Sequence, residues 1–379
     1  MSDRYQVAVV GLGAMGSAVL ARCAMIGARA VGIEQFELGH ELGASTGKTR
    51  IIRKAYFEDS AYVPLLLRAY ELWRDVELRT GTTLLRSIGL LLAGSLDSEV
   101  VSGSQAAAKN HGLQLEILDT RELRGRYPHL HVRDGEVGAY EADGGVVFPE
   151  AAVRAHLALA AQHGATTYER TAMTSWEPGD VVRLNLSNGS SIEAESLVLT
   201  LGPWFSREMQ ALGIPLVIQR NVQLWFAPES DNWNANRFPA FLIERSGQPP
   251  LYGFPDLGEG VKAAFHAFGE TTTPDALRRE ADAADVTPVR RALNDWMPGA
   301  AGNLLAAKVC MYSLTRDRNF VIGLHPRHRN VIVCGGFSGH GFKFASVVGE
   351  IGAQLALDGT TTHEIGFLSP TRFQFDAPF

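Results

Sequence analysis

Three groups of residues have the types and spacing to do chemistry. Gly11-Leu12-Gly13-Ala14-Met15-Gly16 follows an apolar run at 5–10, opens a helix-like stretch, and has Glu34 18 residues beyond it. Such a turn suits a dinucleotide. Gly11 permits the tight turn, Gly13 lets backbone approach a pyrophosphate, and Gly16 lets helix and strand pack closely. The helix start offers free N–H groups to phosphates, and Glu34 can accept hydrogen bonds from ribose hydroxyls. The second group is cationic: Arg50 and Arg53 stand near the N-terminus, and Lys343 sits among glycines and between Phe342 and Phe344, a poor context for a surface lysine. An arginine fork and a lysine point charge can together grip a carboxylate. The third is Lys262 with His266, four residues apart, which strand alternation places on one face.

Elements must position these groups. The start of the chain reads as strand, glycine turn, helix, strand, acidic residue, a βαβ unit. Residues 61–79 predict a helix with Leu65, Leu66, Ala69, Leu72, Trp73 and Val76 in an apolar stripe and Gly81 as its stop. Residues 87–93 predict a strand, and 98–111 a helix. Pro149 starts another helix, which Gly164 stops. Residues 181–186 and 191–195 flank a Ser187-Asn188-Gly189-Ser190 hairpin signal, and 197–201 read as a separate buried strand before Gly202. Alternation dominates 213–320, with a charged helix expected over 273–296. Residues 331–334 predict a strand leading through the Gly335–Gly341 glycines into a last helix, with Gly359 past its end. The nucleotide-binding character is interrupted and resumed twice. The fold class expected is therefore α/β (α+β overall). A Rossmann-like FAD-binding domain at 1–85, 142–212 and 320–379 would be joined by a discontinuous second domain, built on an antiparallel sheet, at 86–141 and 213–319. A nicotinamide domain would usually complete its parallel sheet at once, which favours FAD over NAD.

Composition narrows the class. The 379 residues are 46% hydrophobic and 20% charged, enough for a sizeable core. Lys and Arg total 35 against 41 Asp and Glu, a net charge of -6 without a basic footprint, so no nucleic-acid partner is expected. The three cysteines are too few for a disulfide framework. Arg22 and Arg29 interrupt the most apolar stretch, and the N-terminus lacks a secretory pattern. A soluble cytoplasmic protein with no membrane partner is the expectation.

The residues also carry a resemblance. Gly11–Gly16, Thr49-Arg50-Ile51-Ile52-Arg53, Tyr252-Gly253-Phe254-Pro255, Lys262 with His266, Cys310-Met311-Tyr312 and 337–344 together resemble the monomeric sarcosine oxidase family, which includes N-methyltryptophan, pipecolate and fructosyl-amino-acid oxidases. The likeness runs along essentially the whole chain. It implies an FAD-dependent monomer that oxidises a secondary amino acid and passes electrons to O2, giving hydrogen peroxide. It implies a thioether from Cys310 to the flavin, and Lys308 nearby could favour the thiolate. Cys23 and Cys334 read as inert core thiols. The resemblance assigns the substrate carboxylate to Arg53 and Lys343, and pocket lining to Tyr252, Phe254 and Tyr312. It assigns catalytic roles to Lys262 (oxygen), His266 (substrate amine), Arg50 (against the flavin) and Tyr252. The implied cofactor contacts are Gly11, Gly13, Met15, Gly16, Glu34, Ser45, Thr49, Arg50, Gly202, Trp204, Cys310, Gly339, His340, Gly341, Phe342 and Lys343.

Two positions depart from the family pattern. Thr46 stands where sarcosine oxidase carries a histidine, and Leu242 where it carries a methionine, so sarcosine itself is not singled out. Alternatives from the same reading are a flavin dehydrogenase with another acceptor, an oxidase of a cyclic or glycated amino acid, and a flavoprotein acting on modified RNA or serving as a non-catalytic partner.

Overall fold

The computed structural model describes residues 4–373; residues 1–3 and 374–379 of the expected segments lie outside it. Three sheets organise the chain. In the first, the strand Arg4–Val10 lies parallel between Ala30–Ile33 and Ser191–Leu199, and Thr166–Tyr168 adds a further parallel strand. The stretches 7–10, 30–33 and 197–199 of these strands are buried on both faces, which is why they read as apolar runs. Residues 191–195 and 197–201 were expected as two strands but form one, Ser191–Leu199. Its first half pairs antiparallel with Val182–Leu186 and its second half parallel with His328–Gly335. The apparent break is a change of partner along one strand.

The helices Ala14–Met25, Pro149–Gln162 and Ala345–Asp358 share a core with this sheet. A side chain at Gly349 would meet Ala18 at 2.8 Å and one at Gly352 would meet Val19 at 2.7 Å, so these glycines let two helices touch. The helix Val63–Thr80 buries the expected stripe and ends on Gly81 at φ 65°.

The second sheet has nine strands, drawn from 90–141 and 217–314. It is antiparallel except where Ala240–Ile243 runs parallel to Leu90–Ser95. A third, three-stranded sheet pairs Arg50–Ile52 and Leu85–Ser87 with Gly145–Val147. The strand expected at 87–93 is therefore two strands in different sheets. Gly89 at φ 77° turns the chain, and a side chain there would strike the Tyr140 hydroxyl at 2.4 Å. The strands Glu116–Leu118 and Glu136–Glu141 in the polar stretch 97–140 were not anticipated.

The charged helix expected over 273–296 spans only Ala283–Trp296. Buried Arg220, on the neighbouring strand, donates to the carbonyls of Arg278 at 2.8 Å and Glu280 at 2.9 Å, so those groups are spent outside a helix. Asp282 then caps the helix.

Candidate active site

The glycine turn opens a cleft with about 1590 Å³ of empty space, counted out to its open mouth. Gly11, at φ 87°, lies so near Thr200 that a Cβ would stand 2.5 Å from its carbonyl oxygen. Gly16 faces the turn rather than the cleft, where a Cβ would sit 1.8 Å from the Gly11 oxygen. Around Gly13 the nearest atom to such a Cβ is Ser45 Oγ at 3.4 Å, which leaves its cleft side open. Gly13 caps the first helix without a side-chain hydrogen bond, and the Ala14 N–H is held by Ser45 Oγ at 3.0 Å. Glu34 accepts from the N–H of Leu12 at 2.8 Å and of Phe36 at 3.1 Å. Burial would raise its pKa, but His40 and these two amides outweigh it and hold the carboxylate below its usual range. A helix start whose N-cap is a glycine, a side-chain-free approach and a buried carboxylate fit the pyrophosphate and ribose of an FAD.

Met15, Gly202, Trp204, Cys310, Gly339, Gly341 and Phe342 line the same cleft, with Arg50 at its junction to a smaller pocket. Gly339, at φ 83°, lets its loop press on Tyr312, whose ring a Cβ would meet at 2.2 Å. The last helix starts at Ala345 after the turn Phe342–Phe344, so its positive end faces that turn. His340 and Lys343 lie in the smaller pocket, and Thr49 sits beneath the Lys262 ammonium.

Cys310 lies on the strand Leu304–Leu314, with its Sγ 3.6 Å from Arg50 Nη2 and 3.6 Å from the Ala44 oxygen. The charge beside this thiol is Arg50. Lys308 instead pairs with Glu41, which corrects the expectation from sequence proximity. Burial pushes the Cys23 and Cys334 thiols up to about 12, the inert behaviour expected, although Cys334 borders the cleft.

Lys262 is buried, with Nζ 2.5 Å from the Gly47 oxygen, 2.9 Å from the Thr49 oxygen and 3.0 Å from Thr49 Oγ1. Its partners Trp225 and Phe254 lie 5.0 and 5.3 Å away by ring centroid. Phe254 thus packs on Lys262 and lines neither cavity. His266 stands just past the strand Val261–Phe265 and enters the smaller pocket, whereas Lys262, like Phe254, lines neither cavity, so the expected pair is not brought together in one space.

That smaller pocket adjoins the cleft and is lined by Arg50, Ile51, Arg53, Glu58, Leu242, Tyr252, His266, Tyr312, His340 and Lys343, among others. The His266 ring lies 5.8 Å from Tyr312 and 6.3 Å from Tyr252, and the three form an aromatic wall of the pocket. Burial holds His266 down to about 4, so it is neutral at pH 7. Arg53 donates to the Ala55 oxygen at 2.9 Å and pairs with Glu58. Lys343 donates to the His340 oxygen at 2.7 Å, and burial, followed by the charge of Arg53, lowers it to about 7. Burial opposes ionisation of Glu58, but Arg53, His340 and Lys343 prevail and bring it to about 2. The pocket holds three cations against one carboxylate among its described lining.

Several of these groups were not anticipated. Glu58 sits in a loop without periodicity, five residues past its partner. Glu150 accepts from the N–H of Gly47 at 2.7 Å and of Lys48 at 3.0 Å, fixing the turn that supplies the acceptors of Lys262. Glu141 accepts from the N–H of Lys54 at 2.6 Å and of Ala55 at 2.9 Å, holding the segment after Arg53. Thr46, at the position that departs from the family pattern, is buried with no partner for its hydroxyl.

The family model described as FAD dependent oxidoreductase matches residues 6–355. The chain is 42% identical to a monomeric sarcosine oxidase of Streptomyces avermitilis, covering 98% of both chains. It is 31% identical to an N-methyl-L-tryptophan oxidase of Yersinia pestis, over 98% of this chain and 100% of that one. Among solved structures, NikD, an unusual amino acid oxidase essential for nikkomycin biosynthesis, superposes with a TM-score of 0.84 at 24% identity over 97% of this chain and 98% of that one. The L-proline dehydrogenase of P. horikoshii gives 0.84 at 20% identity over 99% of each. These two likenesses carry the fold.

Proposed function

We propose a specific reaction for this chain, which belongs to the FAD-dependent oxidoreductase family and, within it, to the group of monomeric sarcosine and N-methyltryptophan oxidases. It oxidises the C–N bond of a secondary amino acid, of the N-methyl or N-alkyl class, to an imine, with oxygen reduced to hydrogen peroxide. The observation that carries this reading is the convergence of Arg50, Arg53 and Lys343 on one small pocket that opens onto the cofactor cleft.

The chain's own groups account for binding and orientation. Arg53 and Lys343 take the carboxylate by charge-assisted hydrogen bonds. The amine is then left beside Tyr252, Tyr312 and neutral His266, and the cationic surroundings favour loss of its ammonium proton. A bound FAD would supply the redox chemistry, accepting a hydride equivalent from the carbon beside nitrogen and passing its two electrons to oxygen. In balance, amine plus O2 gives imine plus H2O2, and water splits an open-chain imine into an aldehyde and a primary amine. Lys262 places a buried positive charge where a developing oxygen anion is stabilised. Arg50 at 3.6 Å from Cys310 Sγ supports a thioether between that sulfur and the flavin. The same reading takes the protein as a cytoplasmic monomer whose FAD-binding and substrate domains follow the first and second sheets. No described helix is long and apolar enough to cross a membrane.

A peroxide-coupled screen with sarcosine, N-methyltryptophan, pipecolate, proline and fructosyl amino acids tests the reaction. Peroxide from an N-alkyl amino acid supports it, and inertness towards all of them in a yellow preparation defeats it. Acid precipitation tests the tether: a yellow pellet is expected, and full release of flavin into the supernatant removes the covalent link.

A further inference from the structure

Arg53 and Lys343 come from opposite ends of the chain and repel each other, so something must hold them at the separation one carboxylate requires. Glu58 and the Phe57 ring engage Arg53 alone, at 4.3 Å for the ring, whereas the Tyr56 ring lies against both cations. Its centroid lies 4.3 Å from Arg53 Cζ and 5.1 Å from Lys343 Nζ. A phenol face attracts both cations through its quadrupole. Tyr56 is fully buried, and its hydroxyl lies 2.5 Å from His340 Nδ1.

The tautomer of His340 follows from its other side. Nε2 stands 3.0 Å from the Arg318 carbonyl oxygen. A carbonyl only accepts, so Nε2 carries the proton, Nδ1 accepts, and the Tyr56 hydroxyl donates. Burial, aided by Lys343 and opposed by Glu58, holds His340 down to about 3, so the ring stays neutral. The backbone oxygen of the same His340 receives Lys343 Nζ at 2.7 Å. One phenol–imidazole pair therefore touches both cations, one through a ring face and the other through a ring face and a carbonyl.

We propose that Tyr56 and His340 are positioning residues that set the spacing of Arg53 and Lys343, and so confine the enzyme to amines bearing a carboxylate. This rests on the function proposed above and extends it to residues outside the aromatic wall. Without the Tyr56 hydroxyl, Nδ1 is left buried and unpaired, and the ring loses the bond that fixes its tilt under Arg53.

The test uses holoenzyme and two probes that cannot be oxidised at nitrogen. Methoxyacetate is sarcosine with oxygen in place of the amine, and methoxyacetamide is its neutral counterpart. Calorimetric titration of Tyr56→Phe is expected to show a Kd for methoxyacetate about 10-fold higher than in the unaltered enzyme, with methoxyacetamide changed less than about 2-fold. His340→Asn, which keeps an acceptor for the phenol, is expected to retain affinity within about 3-fold, and His340→Leu to lose it as Tyr56→Phe does. Equal losses for acid and amide, or no loss for the acid, overturn the inference. Should Tyr56→Phe fail to fold, the His340→Asn and His340→Leu pair decides by the same criterion. If the unaltered enzyme binds no methoxyacetate and makes no peroxide, the proposed function itself has failed. If it binds the acid and Tyr56→Phe binds it equally well, only the positioning role has failed.

Discussion

Lys262 and Lys343 are both buried, yet their surroundings ask different things of them. Three acceptors surround Lys262 Nζ, matching the three N–H bonds of an ammonium. Burial, then Arg50, lowers its pKa well below the usual lysine value, but the acceptors reward the charged form. Lys262→Met is expected to slow reoxidation by O2 by more than about 10-fold and to slow reduction by the amine much less, as rapid-mixing absorbance of the two half-reactions would show. Lys343, lowered to about 7, titrates in the working range. It is charged below that pH and neutral above, so affinity for methoxyacetate is expected to be greatest below pH 7 and to decline above it. Lys343→Met should cost about 10-fold or more in that affinity at pH 6 and flatten the profile, which calorimetry across pH 6 to 9 would test. Part of this site was legible in the sequence: Lys343 stood out among glycines and between Phe342 and Phe344, whereas Arg53 and Cys310 were singled out only by the family resemblance of their segments. Glu58, Glu150 and Glu141 were not legible, since a carboxylate, whether in a loop (Glu58), a helix (Glu150) or a strand (Glu141), shows its worth only when the backbone amides or guanidinium it meets are in place. Lys308 misled for the converse reason: two residues from Cys310 along a strand, its flexible stem carries the charge away to Glu41.

At the level of elements, periodicity identified most helices and central strands, and boundaries failed where a distant residue intervened. The stretch 273–282 has helix-forming composition, but Arg220 takes its carbonyls. The helix therefore begins where Asp282 accepts from the N–H of Ala284 at 2.8 Å and of Asp285 at 3.1 Å. Asp282→Ala is expected to cost about 0.5–2 kcal/mol, read as a lower Tm with no change in flavin content. The strand 87–93 failed at Gly89, where two sheets compete for one segment. No local pattern reports that competition, because each half satisfies alternation by itself.

Over the whole molecule, the ties between remote segments fall on few side chains. Buried Glu350, on the last helix, receives Arg22 from the first helix at 2.9 Å, Arg68 at 2.9 Å and His363 at 3.0 Å. Burial alone would raise its pKa, but Arg68 and His363 with Arg22 bring it to about 2. A carboxylate so lowered contributes stability that is complete above its unfolded value near 4.5 and is lost as pH falls towards 2. Glu350→Ala is expected to cost about 1–3 kcal/mol near pH 7, less than a fully buried pair because both guanidinium groups are partly exposed, and little at pH 2. Thermal unfolding at the two pH values would show the difference. The interrupted organisation was legible because the glycine turn and the Gly335–Gly341 segment both read as phosphate or flavin contacts. The order of strands was not, since pairing across hundreds of residues leaves no local trace. That order has a consequence for biosynthesis. The cofactor cleft is lined by Gly11 and also by Gly339 and Gly341, so a nascent chain carries a half-built cradle while the more than 300 residues between them are made. At about 5–20 residues per second the ribosome needs on the order of 15–60 s to deliver the closing segment. The vitamin-derived partner can be captured securely only once that closing segment has emerged, and until then the exposed apolar strands are the part of the chain that most needs a chaperone.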